Sequence, residues 1–474
     1  MRITPHRLAG HLLCLALSSL ATAASVHAAT RCVAPGGAYG CLSSINIAIS
    51  ASAAGDVVVI TDGHYAENVV IDKPLTLTGT GGGAVLMPAV SNPNPCPGEG
   101  SLCAGASNII LVQASNVVIR NLTLDGDNPA LTSGVVRDGA DLDARNGIIT
   151  NHHAGVYNDL TVTNVTVQNI YLRGIYASSG GTFTFDRNTV RNVQGEYASI
   201  AMFNVGGSGR MTRNTVSKAN DAISSNWSAG VEFVGNTITE SASGVHTDNS
   251  SGGDLIADNR VSRGNALTSG SATYGIWTFV AYAPVTVRGN RIDDVDVGLA
   301  VFGQAPGLAS PAGTTFTDNV VRGRNTAGSV GAWVTTDQFG FGSNTVAASF
   351  SNNVVSGFSD GLLMQSDPGN TISVRATCND VRGNVRAAAS MGAYQPDAAG
   401  HQDISLALNN LAGTGTGFAN LAAGTIDAQR NWWGCAAGPG GRGCSSVSGD
   451  IDVRFWLEHA PQCAVGRGRL DGDR

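Results

Sequence analysis

Five short stretches place reactive side chains at equivalent positions: Arg173-Gly-Ile-Tyr176, Asp221-Ala-Ile-Ser-Ser-Asn226, Ser243-Gly-Val-His-Thr-Asp248, Tyr274-Gly-Ile-Trp-Thr-Phe279 and Val297-Gly-Leu-Ala-Val-Phe302. If Ile175, Ile223, Val245, Ile276 and Leu299 enter a core, strand alternation sends their successors outward. Tyr176, Ser224, His246, Trp277 and Ala300 then form one exposed column, with Asn226, Asp248, Phe279 and Phe302 in the next. His246 and Asp248, at i and i+2, share a face at roughly 6–7 Å and suit proton transfer or a cation. Asp221 lies one rung below, so two carboxylates are available as acid and base for glycosidic cleavage. Asp221, His246 and Asp248 are therefore the candidate catalytic residues. Arg173, Tyr176, Asn226, Trp277 and Phe279 are the candidate substrate-binding residues, the aromatic rings stacking on sugar faces. The competing reading is that loops cover the aromatics and the polar groups merely hydrogen-bond to them.

Other reactive residues are less organised. Asp125-Gly-Asp127 with Asp138, Asp141 and Asp143 offers oxygen ligands for calcium, against an ordinary reading as solvated turns. No other cofactor is implied. His152-His153 would diverge on a strand and could not share a metal. Lys218 is either a base for eliminating a uronic-acid proton or a surface turn residue.

These stretches require a scaffold that repeats. Asn precedes an apolar or β-branched pair at Asn164, Asn188, Asn214, Asn236, Asn259, Asn290, Asn319, Asn353 and Asn379, with Asn121, Asn410 and Asn431 extending the series. Intervals run 24, 26, 22 and 23 residues from Asn164 to Asn259, then 31, 29, 34, 26, 31 and 21. The longer ones carry Gly/Ala/Ser/Pro inserts such as Gly303–Gly313. Three short strands and three turns consume about 22 residues, which closes one coil of a parallel β-helix. Val, Ile and Thr in place of regular Leu argue against a leucine-rich repeat. Asn suits a turn because it tolerates the left-handed backbone and can bond the Asn of the next coil.

The N-terminus reads as a signal peptide over 1–28: Arg2 and Arg7 precede the apolar run Leu8–Ala24, and small residues lead to Ala28. No later run spans a membrane. Loss of Arg2 and Arg7 takes the formal charge from −7 to −9, which disfavours nucleic acid as a partner. Of 9 cysteines, Cys14 leaves with the signal. The even remainder favours disulfides, expected as Cys32–Cys41, Cys96–Cys103, Cys435–Cys444 and Cys378–Cys463, although the count is compatible with other connectivities. Zinc lacks a Cys-x-x-Cys pair. The compartment is expected to be extracellular or periplasmic.

Both ends of such a stack need covering. Ser43 or Ser44 can start a short helix whose Ile45, Ala48 and Ile49 form one apolar stripe, an N-terminal cap over 29–55. The β-helix of about a dozen rungs would cover 56–430. Trp432, Trp433, Phe455 and Trp456 suggest an aromatic C-terminal cap over 431–465, ahead of a flexible tail at 466–474.

With Gly63-His-Tyr65, Glu67-Asn-Val-Val-Ile71, Lys73-Pro-Leu-Thr-Leu-Thr-Gly79 and the closing Asn431-Trp-Trp-Gly434, Gly438-Pro439, Asp452 and Trp456-Leu457, these rungs resemble the right-handed parallel β-helix proteins of the pectin lyase-like superfamily, in their secreted bacterial form. The resemblance covers nearly all of the mature chain. It implies an all-β solenoid and leaves the activity open among lyases, glycosidases, esterases, epimerases and adhesins. The polygalacturonase motifs and the pectinesterase Gln-Asp-Thr segment are absent, and the lyase calcium cluster and base have no motif here. The expected function is recognition, with or without cleavage, of an extracellular or periplasmic polysaccharide by a monomeric rod. A lyase or a glycoside hydrolase is the expected enzyme class; the alternative is a non-catalytic surface, matrix or adhesin-like protein.

Overall fold

A computed structural model describes residues 28–463 except 82, 99, 179, 267–270, 305–312, 337–344, 393–399 and 414. The expected leader up to residue 27 and the tail at 466–474 lie outside the described residues. So does most of the Gly303–Gly313 insert.

Strands of two to a dozen residues, rich in Val, Ile and Thr, wind into successive coils. One face is a 16-stranded parallel sheet from Thr30–Val33 to Ile451–Asp452. The other two faces share strands: Thr166–Ala177 pairs through Thr166 with Thr189 and through Arg173 with Ile200. Alternate residues enter a continuous core: Phe185, Phe233 and Phe316 on one face, Ile175, Ile223, Val245 and Ile276 on another, all fully buried. Pairing passes both expected boundaries of the helix. Thr30–Val33 pairs with Val57–Ile60, and Ile451–Asp452 with Ile426–Asp427, because end strands complete a coil without carrying the Asn signature. The stack accordingly exceeds a dozen rungs.

The asparagines form an unbroken row: Asn188, Asn214, Asn236, Asn259, Asn290, Asn319, Asn353, Asn379, Asn409 and Asn431. Each Nδ2 donates to the Oδ1 of the next at 2.9–3.1 Å. The same Oδ1 accepts a backbone N–H of the coil before, so each amide satisfies buried main chain as well. Three expected members stand elsewhere. Asn121 and Asn164 are left-handed, at φ 57° and 54°, in the position Arg187, Arg213, Asp258 and Cys378 occupy in other coils. Asn409 takes the row position, while Asn410 donates to Asp380. The left-handed residue turns the corner and the one after it sends its amide inward, so these are separate tasks.

At the N-terminal end, α1 (Ile45–Ala51) starts at Ser44, whose Oγ accepts the Ile47 N–H, and buries Ile45, Ala48 and Ile49. Glu67 accepts from the N–H groups of Ile45 and Asn46 at 2.9 and 3.1 Å, placing a carboxylate on the helix start. At the other end only part of the expected aromatic cluster is internal. Trp433 is fully buried, whereas Phe455 is 73% and Trp456 42% exposed, with Trp456 packed over Gly438. Four disulfides join Cys32–Cys41, Cys96–Cys103, Cys378–Cys463 and Cys435–Cys444. Among the described residues no helix is long and apolar enough to cross a membrane.

Candidate functional site

The reactive column lies on one sheet face and in one register. Tyr176 pairs with Phe203, Phe203 with Ser224, Ser224 with His246, His246 with Trp277, and Trp277 with Ala300. Phe203 lies outside the five stretches because its strand, Ile200–Val205, sends Met202 into the core where they have Ile, Val or Leu. The strands align, but the columns are not exposed: Tyr176, Ser224, His246, Asp248 and Phe302 are buried, and Asn226, Trp277 and Phe279 are half-buried.

Above it opens a cleft of about 430 Å³, whose lining includes Arg173, Phe203, Asp221, Asn226, Tyr274 and Trp277. Arg173 and Trp277 belong to strands four coil steps apart, so the opening runs along the helix axis for roughly 19 Å at about 4.8 Å per step. Its flanks are turns: Tyr197 and Ala198 on one coil, Ala266, Ser271 and Ala272 on another.

Asp221 and His246 meet at its floor. Asp221 Oδ2 is 2.8 Å from His246 Nδ1, but off the ring N–H direction, so the contact is a close charge–imidazole approach without an aligned hydrogen bond. Asp221 Oδ1 is buried and has no hydrogen-bond partner. On the far side of the ring, Nε2 is 2.7 Å from Ser224 Oγ. The imidazole also stacks on Trp277, centroids 4.3 Å apart and planes at 26°, and the indole Nε1 donates to Ser243 Oγ at 3.0 Å. Ring orientation is thus fixed from three directions. Asp221, not His246, is the member that lines the cleft.

Asp248 is separated from this pair. Its Oδ1 accepts the backbone N–H of Trp227. Burial pushes its pKa up to about 6, Asp254 adding to the rise while the Trp227 amide and His246 oppose it. The expected exposed catalytic Asp248 is therefore a buried acceptor, since the bulge between Ser225 and Ser228 on the neighbouring strand brings the Trp227 N–H to its carboxylate.

At the other end, Arg173 donates through Nε to Ser101 Oγ at 2.9 Å and through a terminal nitrogen to the Ala198 carbonyl. The guanidinium stands 4.9 Å from the Phe203 ring centre and 5.9 Å from that of Tyr176. Burial lowers its pKa to about 10. Tyr176 is covered: it stacks on Phe203 at 4.7 Å and packs with Ile149, beside Leu102 of the Cys96–Cys103 loop. That loop is tied down by Arg145, which donates to the carbonyls of Pro93, Gly100 and Ser101, and by Asn146. Arg173, Asn226 and Trp277 of the expected binding set line the cleft; Tyr176 and Phe279 do not. Tyr274 and Phe203 are additions.

The remaining candidates fall elsewhere. Lys218, left-handed at φ 54° within the strand Thr215–Ala219, pairs with Asp138 at 2.8 Å and is not among the residues lining the cleft. The acidic loop does not converge on a cation. Asp125 accepts from Gln168 and Asn169, Asp141 from Ser133, and Asp143 from the Asn128 N–H. Among the described residues no group of three His, Cys, Asp or Glu is arranged to hold a metal. His152 and His153 lie in a turn, not a strand, with ring centroids 4.6 Å apart.

Residues 146–321, which contain the whole column from Tyr176 to Phe302, match the sequence family described as "Right handed beta helix region". The fold is a right-handed parallel β-helix. No curated protein matches the chain in sequence. Solved structures similar to this β-helix include the A-module of the mannuronan C-5 epimerase AlgE6 from Azotobacter vinelandii, at TM-score 0.36 and 15% identity over 88% of this chain and 95% of that one. Another is a pectin methylesterase from Yersinia enterocolitica, at 0.32 and 14% over 60% and 92%. A third is tailspike protein 3 of bacteriophage CBA120, at 0.40 and 12% over 88% and 59%.

Proposed function

We propose that this chain is exported, binds a polysaccharide strand lengthwise in the cleft, and carries out proton-transfer chemistry on it with Asp221 and His246. The carrying observation is the buried, unpartnered Oδ1 of Asp221, a residue that lines the cleft, with an imidazole 2.8 Å from its other oxygen. A buried acceptor without a donor is costly, so its retention suits a substrate hydroxyl or ring proton arriving there. Trp277 and Tyr274 offer apolar faces to sugar rings. The half-buried Arg173 guanidinium favours an anionic substituent, which makes acidic polysaccharides the first probes. Elimination and hydrolysis both need such a proton-transfer pair.

Burial of His246 and Ser224 supports a second reading, in which the pair only stiffens the floor of a binding groove. One experiment separates the two. Purified protein is incubated with a panel of polysaccharides and assayed for new reducing ends and for the absorbance of unsaturated products. Activity that disappears in Asp221→Asn supports an enzyme; binding without product in any case leaves a non-catalytic glycan-binding rod.

A further inference from the structure

Beyond the cleft, two aromatic rings are held out to solvent. Trp227 is 52% and Tyr282 37% exposed, their centroids 5.7 Å apart and planes at 38°. Regular alternation would turn Trp227 into the core, since Ser225 is buried and Asn226 faces the cleft. Instead the register breaks between Ser225 and Ser228, and Trp227 takes a left-handed φ of 55°. Val280, two residues before Tyr282, is left-handed as well at 46°, a conformation that β-branched residues rarely adopt. Bulges of this kind re-aim side chains.

The strand between the two rings, Ser243–Gly252, spends three consecutive side chains on holding them. Asp248 accepts the Trp227 N–H. Asn249, fully buried, accepts the N–H groups of Tyr282 and Ala283 at 2.9 and 2.7 Å. Ser250 donates to the carbonyls of Trp227 and Ser228 at 3.0 and 3.1 Å. Backbone strain and three dedicated polar side chains thus present a pair of partly exposed rings, an arrangement that core packing does not require.

We propose that Trp227 and Tyr282 form a stacking platform for a pyranose ring, an outlying subsite of the polymer held in the cleft and reached past Asn226. This depends on the cleft binding a polysaccharide. Asn226 lines the cleft and immediately precedes Trp227, so the surfaces are continuous. Two rings bordered by Asn226 and Ser250 match the apolar face and hydroxyl rim of a sugar. They are far from the roughly 800 Å² per partner of a stable protein interface.

The test is native affinity electrophoresis of the wild type, Trp227→Ala, Trp227→Phe, Tyr282→Ala and Trp277→Ala in gels containing polygalacturonate, alginate or a neutral β-glucan. Circular dichroism of each variant checks the fold. In the gel that retards the wild type, Trp227→Ala should bind roughly fivefold to tenfold more weakly, Tyr282→Ala less so, and Trp227→Phe should recover most of the loss. Weakening by Trp277→Ala with none by Trp227→Ala would overturn the platform and leave the cleft intact. Failure of every polysaccharide to retard the wild type would overturn both. Concentration-dependent dimerisation on size exclusion, abolished by Trp227→Ala, would assign the rings to a contact between copies and equally refute the subsite.

Discussion

Asp221 reaches across one coil to set a carboxylate oxygen 2.8 Å from Nδ1 of His246, while its second oxygen is buried without a donor. Asp221→Asn preserves the shape and removes the base. It should lower turnover of any cleaved polysaccharide by about 10²–10⁴-fold, the usual share of general acid–base catalysis. Far-UV circular dichroism should not change. A variant that keeps wild-type initial rates would remove Asp221 from the chemistry.

Stability should fall as pH rises through the titration of Asp248. Its carboxyl has a folded pKa of about 6 against an unfolded value of 3.8, so between these values the native state binds more protons. The contribution is complete below about 4 and lost above about 6, where the charged buried form costs about 3 kcal/mol at 1.36 kcal/mol per unit. Asp254 shifts in the same direction, so the informative quantity is a difference. Asp248→Asn retains an acceptor for the Trp227 N–H. Its melting temperature should gain on the wild type from pH 4 to pH 7; parallel curves would contradict the assignment.

The Cys378–Cys463 bridge closes 85 residues, against 7 and 9 for the others. Chain entropy assigns it about 4–5 kcal/mol and each short bridge about 2.5 kcal/mol. Cys463→Ser should therefore depress the melting temperature more than loss of any other single bridge, measured by calorimetry without reductant. Because Cys378 occupies the left-handed corner position, the bridge also fastens the C-terminal segment to the turn of an internal coil.

Removing one amide from the asparagine row should cost more than its own bonds. In Asn290→Ala the Asn259 N–H loses its acceptor, and the Ile256 carbonyl loses a donor, all within buried surroundings. A loss of about 2–4 kcal/mol in a denaturant titration, with the slope unchanged, is expected. Asn164→Ala, on an exposed corner, should change stability by less than about 1 kcal/mol.

The sequence disclosed the coil, the facing of the site strands and the cysteine partners, because each leaves a local mark: β-branched pairs after Asn, Gly before a core residue, close Cys spacing. Covering was not legible. Tyr176 lies beneath a loop held by Arg145, some fifty residues from the carbonyl of Pro93 it binds, and nothing local in either stretch announces that encounter. The reversal at Trp227 was equally hidden, since strict alternation passes over a bulge. Asp248 misled for the same reason: it was read against regular neighbours, whereas the bulge on the adjacent strand gives it to the Trp227 amide.

The row of asparagines gives the rod an electrical sense. Every inter-side-chain bond runs the same way, from the Nδ2 of one coil to the Oδ1 of the next toward the C-terminus, so the amide dipoles add instead of cancelling. The two ends are unlike. Asn188 offers an oxygen, met by the Val165 N–H, and Asn431 offers hydrogens, met by the carbonyls of Leu406 and Ala428. Polarisation passed along the row makes the amides near its middle the strongest donors and acceptors. The amides of Asn236, Asn259 and Asn290 follow the strands of Asp221, His246 and Trp277, so the aligned dipoles run through the coils that carry the cleft.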